Sequence, residues 1–292
     1  MKILILGVDG MIGHKIYQTL SSKKNRLLIT SRKKKDSILI YKTQDKFINY
    51  TYDNSTINEL LDLHKPDIII NCIGVTTRRI GSLKMDQINN VNTVLPNKLS
   101  MWTKKNQKWL IHFSTDCVFT GNEGNYNELS KKDAKDLYGL SKSAGEEIEL
   151  SNTLIIRCSL IGREIYNNTE LLEWLISMNN KKIQGFSEAI YSGVSTLWMS
   201  TVIKKLINND TKLKGLYNIS SSQISKFELL NKMIAHFKLN IEIIKNDKFK
   251  SNKSLNSDKF TTETGIQTPS WDEMLKDLYY DAMQNSHLYK KN

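Results

Sequence analysis

Short apolar segments alternate with amphipathic helical patterns through the first two-thirds of the sequence. Runs of this kind, rich in Ile and Leu, are typical of strands buried on both faces of a parallel sheet. The candidate strands are KILIL (2–6), RLLIT (26–30), KFINY (46–50), DIIIN (67–71), WLIHFS (109–114) and TLIIRC (153–158). Helical patterns lie between them at 12–22, 56–64, 87–105 and 138–150. This alternation predicts an α/β fold of Rossmann type, with a doubly wound parallel sheet.

Three glycines follow the first candidate strand at a spacing that suits a phosphate-binding turn. The segment ILILGVDGMIGHKI places Gly7, Gly10 and Gly13 between the strand and a helix. Gly7 permits the tight turn, Gly10 lets a pyrophosphate approach the backbone, and Gly13 permits close packing of helix on strand. The helix N-terminus then offers its N–H groups and positive dipole end to the phosphates. The pattern, GxxGxxG, predicts dinucleotide binding.

The regular alternation of strand and helix patterns ends after about residue 159. Helical patterns cover 170–180, 196–208, 225–237 and 270–283, and further strand candidates are GLYNIS (215–220) and IEIIK (241–245). We expect a dinucleotide-binding domain over 1–159, to which the chain returns at about 192–220 and 270–285. We expect a smaller C-terminal substrate-binding lobe to be formed by 160–191 and 221–269. Ser225 and Glu228 have the spacing of a helix capping box.

The end of the second strand helps to choose between cofactors. An NAD site usually has an acidic residue there, which binds the ribose hydroxyls. This chain has ITSRKKK, with no acid before Asp36. Arg32, together with Lys33, can pair with a 2′-phosphate, because a guanidinium matches phosphate oxygens. The sequence therefore favours NADP(H), and NAD(H) stays an alternative.

Other cofactor contacts are expected at the carboxyl ends of the strands, where open α/β sheets bind ligands. Asp53 and Asn54 follow the third strand and are candidates to receive the adenine amino group. The segment NCIGVT (71–76) ends the fourth strand with small residues, so that a cofactor can lie across its tip.

Candidate catalytic residues lie close together at the carboxyl end of the sheet if its strands are parallel. HFSTDCVFTG (112–121) puts Ser114 and Thr115 at the carboxyl end of the fifth strand. Tyr138 and Lys142 are four residues apart, so a helix places them on one face. A nearby ammonium favours a phenolate, which suits a phenol for general acid catalysis. Taken alone, this pair also fits an exposed helix surface.

The glycine turn, STDCVF (114–119) and YGLSK (138–142) resemble the motifs of the extended short-chain dehydrogenase/reductase family. STDCVFTG, DLYGLSKSAGE and RCSLIGRE (157–164) are similar to motifs of its dTDP-4-dehydrorhamnose reductase branch, which comprises nucleotide-sugar reductases. The resemblance extends to YSGVSTL (191–197) and PSWDEML (269–275), and so covers nearly the whole chain.

The resemblance implies a reductase of a nucleotide-linked 4-keto-6-deoxy sugar in polysaccharide or nucleotide-sugar biosynthesis. It implies that hydride reaches C4 and that Tyr138 protonates the resulting alkoxide. It also implies that Lys142 lowers the pKa of Tyr138 and binds the nicotinamide ribose, and that Thr115 donates a hydrogen bond to the carbonyl oxygen. The expected cofactor-binding residues are Gly7, Gly10, Met11, Ile12, Gly13, Ser31, Arg32, Asp53, Asn54, Cys72, Ile73, Gly74, Thr76, Ser114, Tyr138 and Lys142.

Some residues depart from the branch. Cys117 stands where those enzymes commonly have Tyr, Leu160 where they have Trp, and GVTTRR (74–79) is more basic. These departures keep a UDP-N-acetyl-4-keto sugar open as an alternative substrate. The expected substrate-binding residues are Thr76, Asn92, Val118, Phe119 and Ser159.

Two other activities and one non-catalytic role compete with reduction. The related dehydratases have a Glu after the Asp of this motif, whereas Asp116 is followed by Cys117, so elimination lacks its second carboxylate. A sugar epimerase stays open, because it can use the same Tyr and Lys. A regulatory subunit with this fold also stays open, although the presence of Thr115, Tyr138 and Lys142 favours an enzyme.

The composition of the 292-residue chain indicates which classes of partner to expect. The formal net charge is +12, but the lysines are scattered and the only dense run is RKKKD (32–36), so we expect neither a nucleic acid nor a membrane partner. The three cysteines and five histidines lack metal-ligand spacing, and no metal is expected. No signal peptide or membrane-spanning run is present, which predicts a cytoplasmic protein. A homodimer is left open.

Overall fold

The computed structural model of the protein describes residues 1–21, 26–33, 45–53, 55–166, 168–209 and 212–289. Its strands are β1 (Lys2–Leu6), β2 (Arg26–Ser31), β3 (Lys46–Asn49), β4 (Ile68–Asn71), β5 (Trp109–Ser114), β6 (Thr153–Arg157), β7 (Leu160–Ile161), β8 (Lys182–Phe186), β9 (Ala189–Tyr191), β10 (Val194–Ser195), β11 (Gly215–Asn218), β12 (Ile224–Ser225), β13 (Glu242–Asn246) and β14 (Ser251–Asn252). Its α-helices are α1 (Met11–Leu20), α2 (Ile57–His64), α3 (Met85–Asn89), α4 (Leu95–Asn106), α5 (Leu137–Ala144), α6 (Leu171–Ser177), α7 (Thr196–Asn208), α8 (Lys226–Phe237), α9 (Asp258–Thr264) and α10 (Trp271–Gln284).

The main sheet has seven strands in the order β11-β6-β5-β4-β1-β2-β3. The neighbouring strands from β1 to β6 pair in parallel. From β1 the chain runs through β2 to β3 at one edge, and then crosses to β4 on the other side of β1. This reversal confirms the predicted doubly wound Rossmann-type sheet, and it places the switch point between the carboxyl ends of β1 and β4.

All six strands predicted in the first two-thirds of the chain form, with bounds that shift by at most one residue. The burial of β3 differs from the prediction, because this edge strand is half exposed instead of covered on both faces. The helix predicted at 138–150 ends at Ala144, with Gly145 as its C-cap. Within the described ranges, no helix combines the length and the apolar character needed to cross a membrane.

The hydrophobic core of the sheet explains why its strands are apolar almost throughout. Leu4 and Leu6 of β1 and Leu110 of β5 pack with Leu95 and Leu99 of α4, and all five are fully buried. Burial of each such side chain stabilises the fold by roughly 1.5–3 kcal/mol. The helix is therefore held to the sheet by an apolar face, and the strand ends stay free for polar residues.

Close packing between β1 and α1 depends on two of the predicted glycines. Gly7 has φ of +79°, a backbone conformation that other residues rarely adopt. A Cβ atom at Gly13 would lie 2.1 Å from the carbonyl oxygen of Gly7. The helix can therefore start directly beside the end of β1 only while position 13 has no side chain.

The helix predicted over 87–105 is interrupted. A π-helical stretch, Asn90–Val94, separates α3 from α4. Pro96 has no N–H to donate to the carbonyl of Asn92, four residues earlier, which disturbs regular α-helical bonding at this point. A Cβ atom at Gly145 would lie 2.0 Å from that same carbonyl oxygen. The irregular turn therefore packs directly on the end of α5.

The chain divides into two compact units. The first comprises Met1–Val118, Ala134–Arg157 and Ser200–Leu216, and the second comprises Phe119–Asp133, Cys158–Met199 and Tyr217–Asn292. Of the segments that the sequence placed in the dinucleotide-binding domain, 158–159, 192–199 and 217–220 belong to the second unit, and so do two longer ones, 119–133 and 270–285. The first is held there by the N–H of Tyr126, which donates to the carbonyl of Ser254 at 2.9 Å. In the other, Trp271 packs beside the ring of Tyr191.

The second unit contains short strands in small sheets. β7 pairs with β10, β8 pairs with β13, and β9 lies between β12 and β14. Of these strands the sequence predicted β13 alone. The five strands of two or three residues are too short to show a period, and β8, KIQGF, mixes polar residues and a glycine with its apolar ones. α8 begins at the predicted capping box, where the Ser225 hydroxyl accepts the N–H of Glu228 at 3.1 Å.

A buried ion pair joins β5, β6 and the residue that follows the C-cap of α5. Arg157, at the end of β6, donates to both carboxylate oxygens of Glu146, at 2.8 and 2.7 Å. Each of these side chains is only 2% exposed. Ser114, the last residue of β5, donates its hydroxyl to the same carboxylate at 2.5 Å. Because a buried charge is tolerated only when it is paired and hydrogen-bonded, Glu146 fixes three segments to one another.

Replacement of Gly13 by Ala tests the close approach of α1 to β1. The added methyl group must displace the Gly7 carbonyl, and overpacking of this kind costs about 1–3 kcal/mol. We expect the urea unfolding midpoint to fall while the m value stays the same. Gly81→Ala is the matched control, because a Cβ at Gly81 meets no described atom within 4 Å. Equal stability of the two variants would contradict the packing.

Replacement of Glu146 by Gln tests the buried ion pair. The Arg157 guanidinium would stay buried without its counter-charge, and loss of one partner of such a pair costs about 3–5 kcal/mol. We expect a lower unfolding midpoint in urea. Glu149→Gln is the matched control, since Glu149 forms an exposed pair with Lys104 and its loss should hardly move the midpoint. If both variants unfold at the same urea concentration, the buried pair does not hold the segments together.

Candidate active site

The turn between β1 and α1 leaves space for a ligand. Gly10 is the N-cap of α1, and its N–H donates to the carbonyl of Gly7 at 3.1 Å. A Cβ at Gly10 would meet no described atom closer than 3.4 Å, so the packing of the protein does not require glycine there, in contrast to Gly13. In the described part of the chain no side chain caps α1, and its first turn has no acidic residue. The helix N-terminus is therefore available to an anion.

These features fit the diphosphate of a nicotinamide dinucleotide. The space over Gly10 lets a phosphate come close to the backbone. The predicted residues Met11 and Ile12 form the first turn of α1, whose N–H groups point toward that space. Their contacts with a cofactor stay predictions.

The end of β2 carries basic and acidic groups together. Arg32 and Lys33 are exposed, where a phosphate can reach them. The hydroxyl of Ser31 donates to the carboxylate of Asp9 at 2.7 Å, and the N–H of Lys33 donates to that hydroxyl at 2.9 Å. Burial raises the pKa of Asp9, and the Ser31 hydrogen bond and the two cations oppose this rise. The sequence has no acid at the end of β2 itself, and Asp9, which comes from the glycine turn, was not among the predicted residues.

The predicted adenine contacts are only partly described. Asp53 is exposed, and its carboxylate accepts the N–H and the hydroxyl of Ser55, both at 2.6 Å. These hydrogen bonds lower the pKa of Asp53. Asn54 lies outside the described residues. A contact between Asp53 and adenine stays a prediction.

The loop after β4 lies at the switch point of the sheet. Its predicted cofactor-binding residues, Cys72, Ile73, Gly74 and Thr76, are all half-buried. The N–H of Cys72 donates to the carbonyl of Leu6 at 3.0 Å, which ties the loop to the end of β1. The loop therefore runs beside the glycine turn, as a shared cofactor site requires.

Asn92 is fully buried and connects the loop after β4 to α5. Its amide oxygen accepts the N–H of Val75 at 2.9 Å. Its amide nitrogen donates to the Val75 carbonyl and to the hydroxyl of Ser141, each at 3.0 Å. Because both amide hydrogens and the amide oxygen are engaged within the protein, Asn92 positions these two segments, and its contact with substrate stays a prediction.

The first turn of α5 packs directly on the backbone that follows β5. The carboxylate of Asp136 caps the helix by accepting the N–H of Gly139 at 3.0 Å. A Cβ at Gly139 would lie 2.3 Å from the carbonyl oxygen of Cys117, so only glycine permits this approach. Tyr138, its half-buried neighbour, is thereby brought to the segment that begins with Thr115.

Lys142 lies one helical turn after Tyr138 and is 4% exposed. Its ammonium donates to the carbonyl of Phe113 at 2.6 Å, two residues before Thr115. Residues four apart share a helix face. The structure therefore brings α5, with its phenol and its ammonium, to the carboxyl end of β5, as the sequence predicted for a parallel sheet.

Thr115 is buried and already makes two hydrogen bonds. Its hydroxyl donates to the carboxylate of Asp116 at 3.1 Å and accepts the N–H of Cys117 at 3.1 Å. A hydroxyl has a single proton to donate. A substrate oxygen must therefore compete with Asp116 for that proton.

Some predicted residues have other roles. The hydroxyl of Ser114, expected to bind the cofactor, is directed to Glu146, because a buried carboxylate needs donors. Glu146 and Arg157 were not among the predicted site residues. A signal was present, since Arg157 is a charged residue at the end of an otherwise apolar strand, and such a charge needs a buried partner.

The remaining predicted substrate contacts lie in different environments. In the first unit Val118 is fully buried, and in the second Phe119 is fully buried with its ring stacked on Tyr126 at 4.0 Å. Both side chains are closed to solvent in this structure, and their contacts with substrate stay predictions. Thr76 and Ser159 are half-buried, and their contacts with substrate stay predictions.

His112 is a buried neighbour of Lys142. Its Nδ1 atom lies 3.1 Å from the amide nitrogen of Asn71, whose amide oxygen accepts the N–H of Ile73. Burial and the charge of Lys142 lower the pKa of His112 well below its ordinary value, so the imidazole is neutral at physiological pH. Among the described residues, no group of three or more His, Cys, Asp or Glu side chains could hold a metal ion.

The chain is similar to several known proteins, which carry different names. It is 22% identical over 290 residues to the spore coat polysaccharide biosynthesis protein SpsK of Bacillus subtilis (strain 168), covering 94% of this chain and 96% of that protein. It is 23% identical over 252 residues to methionine adenosyltransferase 2 subunit beta of Xenopus tropicalis, covering 82% and 72%. The crystal structure of dTDP-4-dehydrorhamnose reductase from Bacillus anthracis str. Ames in complex with NADP superposes with a TM-score of 0.79 at 21% identity, covering 96% and 98%. This likeness shows a common fold.

The family follows from the sequence. The sequence model of the RmlD substrate binding domain matches residues 1–284. This match confirms the resemblance that the glycine turn and the motifs around Thr115 and Tyr138 predicted. The chain belongs to the RmlD substrate binding domain family, within the extended short-chain dehydrogenases/reductases.

Proposed function

We propose that the protein is an NADP(H)-preferring reductase of a nucleotide-linked 4-keto-6-deoxy sugar. The family supports this class of enzyme, and the relative SpsK supports a place in polysaccharide biosynthesis. The observation that carries the proposal is the bond from the Lys142 ammonium to the Phe113 carbonyl at the end of β5. With α5 held there, Tyr138, Lys142 and Thr115 supply the phenol, the ammonium and the hydroxyl that reduction of a ketone needs.

Reduction adds a hydride to the carbonyl carbon and a proton to the carbonyl oxygen. A nicotinamide cofactor held at the glycine turn would supply the hydride for C4. Tyr138 donates its phenolic proton to the C4 oxygen as negative charge develops there. The ammonium of Lys142 stabilises the phenolate that remains, which assists the transfer.

Thr115 stabilises the same oxygen. Its hydroxyl proton points to Asp116 in the protein without substrate, and a rotation about the C–O bond redirects it to the ketone. The N–H of Cys117 holds the hydroxyl oxygen in place while the proton turns. A hydrogen bond that strengthens as charge develops on the oxygen lowers the barrier.

NADP(H) is the preferred cofactor in this proposal. Arg32 and Lys33 offer two exposed positive charges to a 2′-phosphate. The space over Gly10 and the uncapped end of α1 suit the diphosphate. The Bacillus anthracis neighbour, which was solved with NADP, supports the same choice. NAD(H) is the alternative.

The proposed substrate class follows from the relatives and from the residues around Thr115. The dTDP-4-dehydrorhamnose reductase neighbour supports a 4-keto-6-deoxy sugar. Asp116 is followed by Cys117 instead of a second carboxylate, which disfavours dehydration. A UDP-N-acetyl-4-keto sugar is the alternative substrate. An epimerase would need no added cofactor, whereas a reductase consumes one NADPH for each sugar.

A second candidate is a non-catalytic subunit with the same fold. The likeness to methionine adenosyltransferase 2 subunit beta favours it. The presence of Thr115, Tyr138 and Lys142 together favours the enzyme, because a subunit without chemistry needs none of them. The cytoplasmic location and the homodimer stay predictions.

Replacement of Tyr138 by Phe tests the general acid. The variant keeps the ring but loses the proton, so we expect turnover of a 4-keto sugar nucleotide to fall by about 10²–10⁴. The dissociation constant for NADPH should change little. Turnover is measured from the loss of absorbance at about 340 nm that accompanies hydride transfer, and cofactor binding by calorimetric titration.

Tyr280→Phe is the matched control for this variant. Tyr280 is an exposed phenol on α10 of the second unit, and its loss should leave turnover unchanged. Normal turnover in Tyr138→Phe would reject Tyr138 as the proton donor. If neither the wild type nor a variant consumes NADPH with any of a panel of keto sugar nucleotides, the result would favour the non-catalytic subunit.

A further inference from the structure

Asp9 is a half-buried acid that the proposed mechanism does not use. It lies in the glycine turn between Gly7 and Gly10 and faces the end of β2. Its Oδ2 atom accepts the hydroxyl of Ser31 at 2.7 Å. Its Oδ1 atom is buried and has no hydrogen-bond partner among the residues that the structure describes. An incompletely paired carboxyl is unfavourable for folding, and its presence next to a cofactor site points to a role there.

Two cations lie near the same carboxyl. Arg32 and Lys33 are exposed at the end of β2, and their charges oppose the rise in the pKa of Asp9 that burial causes. The N–H of Lys33 donates to the Ser31 hydroxyl that serves Asp9. One acid and two cations therefore share the end of β2, where a doubly wound fold binds the ribose of the adenosine half.

The 2′ position of this ribose distinguishes the two cofactors. A 2′-phosphate carries nearly two negative charges, which Arg32 and Lys33 attract and a carboxylate repels. A 2′-hydroxyl carries no charge, so a nearby carboxylate does not repel it and can accept its proton. The charge of Asp9 therefore acts against one cofactor and not against the other.

We propose that Asp9 is a specificity-determining residue, which weakens the preference for NADP(H) over NAD(H) by opposing the 2′-phosphate that Arg32 and Lys33 attract. The inference rests on the proposed function, since it requires a dinucleotide at the glycine turn. Ser31 is the positioning residue, because its hydroxyl bond holds the carboxyl of Asp9 toward β2.

Replacement of Asp9 by Asn removes the charge and keeps both the shape and an acceptor for Ser31. Equilibrium dissociation constants for NADP+ and NAD+ are measured by calorimetric titration without any sugar. We expect NADP+ to bind about tenfold more tightly to the variant than to the wild type, from the loss of one repulsive charge. Affinity for NAD+ should stay the same or fall.

Two further variants complete the experiment. Glu149→Gln removes one exposed negative charge from the same unit and should leave both dissociation constants unchanged. Asp9→Ser also removes the charge and must shift the ratio of the two constants in the same direction as Asp9→Asn. It replaces Asp9→Asn as the test if circular dichroism shows that Asp9→Asn does not fold.

The outcomes separate this inference from the proposed function. An unchanged ratio of NADP+ to NAD+ affinity in a folded Asp9 variant overturns the role of Asp9 and leaves the reductase proposal in place. A wild-type protein that binds neither dinucleotide overturns both.

Discussion

The carboxylate of Glu146 is the constraint on which the arrangement of the first unit depends. It is shared by Arg157 of β6 and Ser114 of β5, and it follows directly on the helix that carries Tyr138 and Lys142. A buried anion with these partners in place resists any shift of α5 along the sheet, because a shift would leave a charge unpaired. The chemistry proposed for the site therefore depends on a group that need not touch the substrate.

Glycines permit the shortest distances between neighbouring segments of the first unit. Gly13, Gly139 and Gly145 each stand where a Cβ atom would lie within 2.3 Å of a backbone carbonyl oxygen. Each lets one helix approach a neighbouring segment more closely than any other residue would allow. Gly10 differs, since the chain's own packing leaves its surroundings open. That contrast separates glycines that serve the fold from the one that suits a ligand.

The sequence predicted the fold well because its signals are local. Buried strands leave apolar runs, and the turn at Gly7 and the capping box at Ser225 involve neighbours in sequence. The same holds for the face shared by Tyr138 and Lys142. Sequence could not show the hydrogen bonds in which a side chain has a long-range partner: Ser114 bonds Glu146, and Asn92 bonds Val75 and Ser141. Asp9 was missed for the same reason, because it lies in the glycine turn and its partner Ser31 lies at the end of β2.

The most direct test of the reductase mechanism follows the hydride itself. The protein is incubated with a 4-keto sugar nucleotide and NADPH that carries deuterium at the transferable position, and the product is examined by mass spectrometry and NMR. The account predicts one deuterium at C4 of the sugar for each NADPH oxidised, with the oxygen protonated from Tyr138. A product without deuterium, or sugar converted with no net loss of NADPH, would contradict reduction as the function of this site.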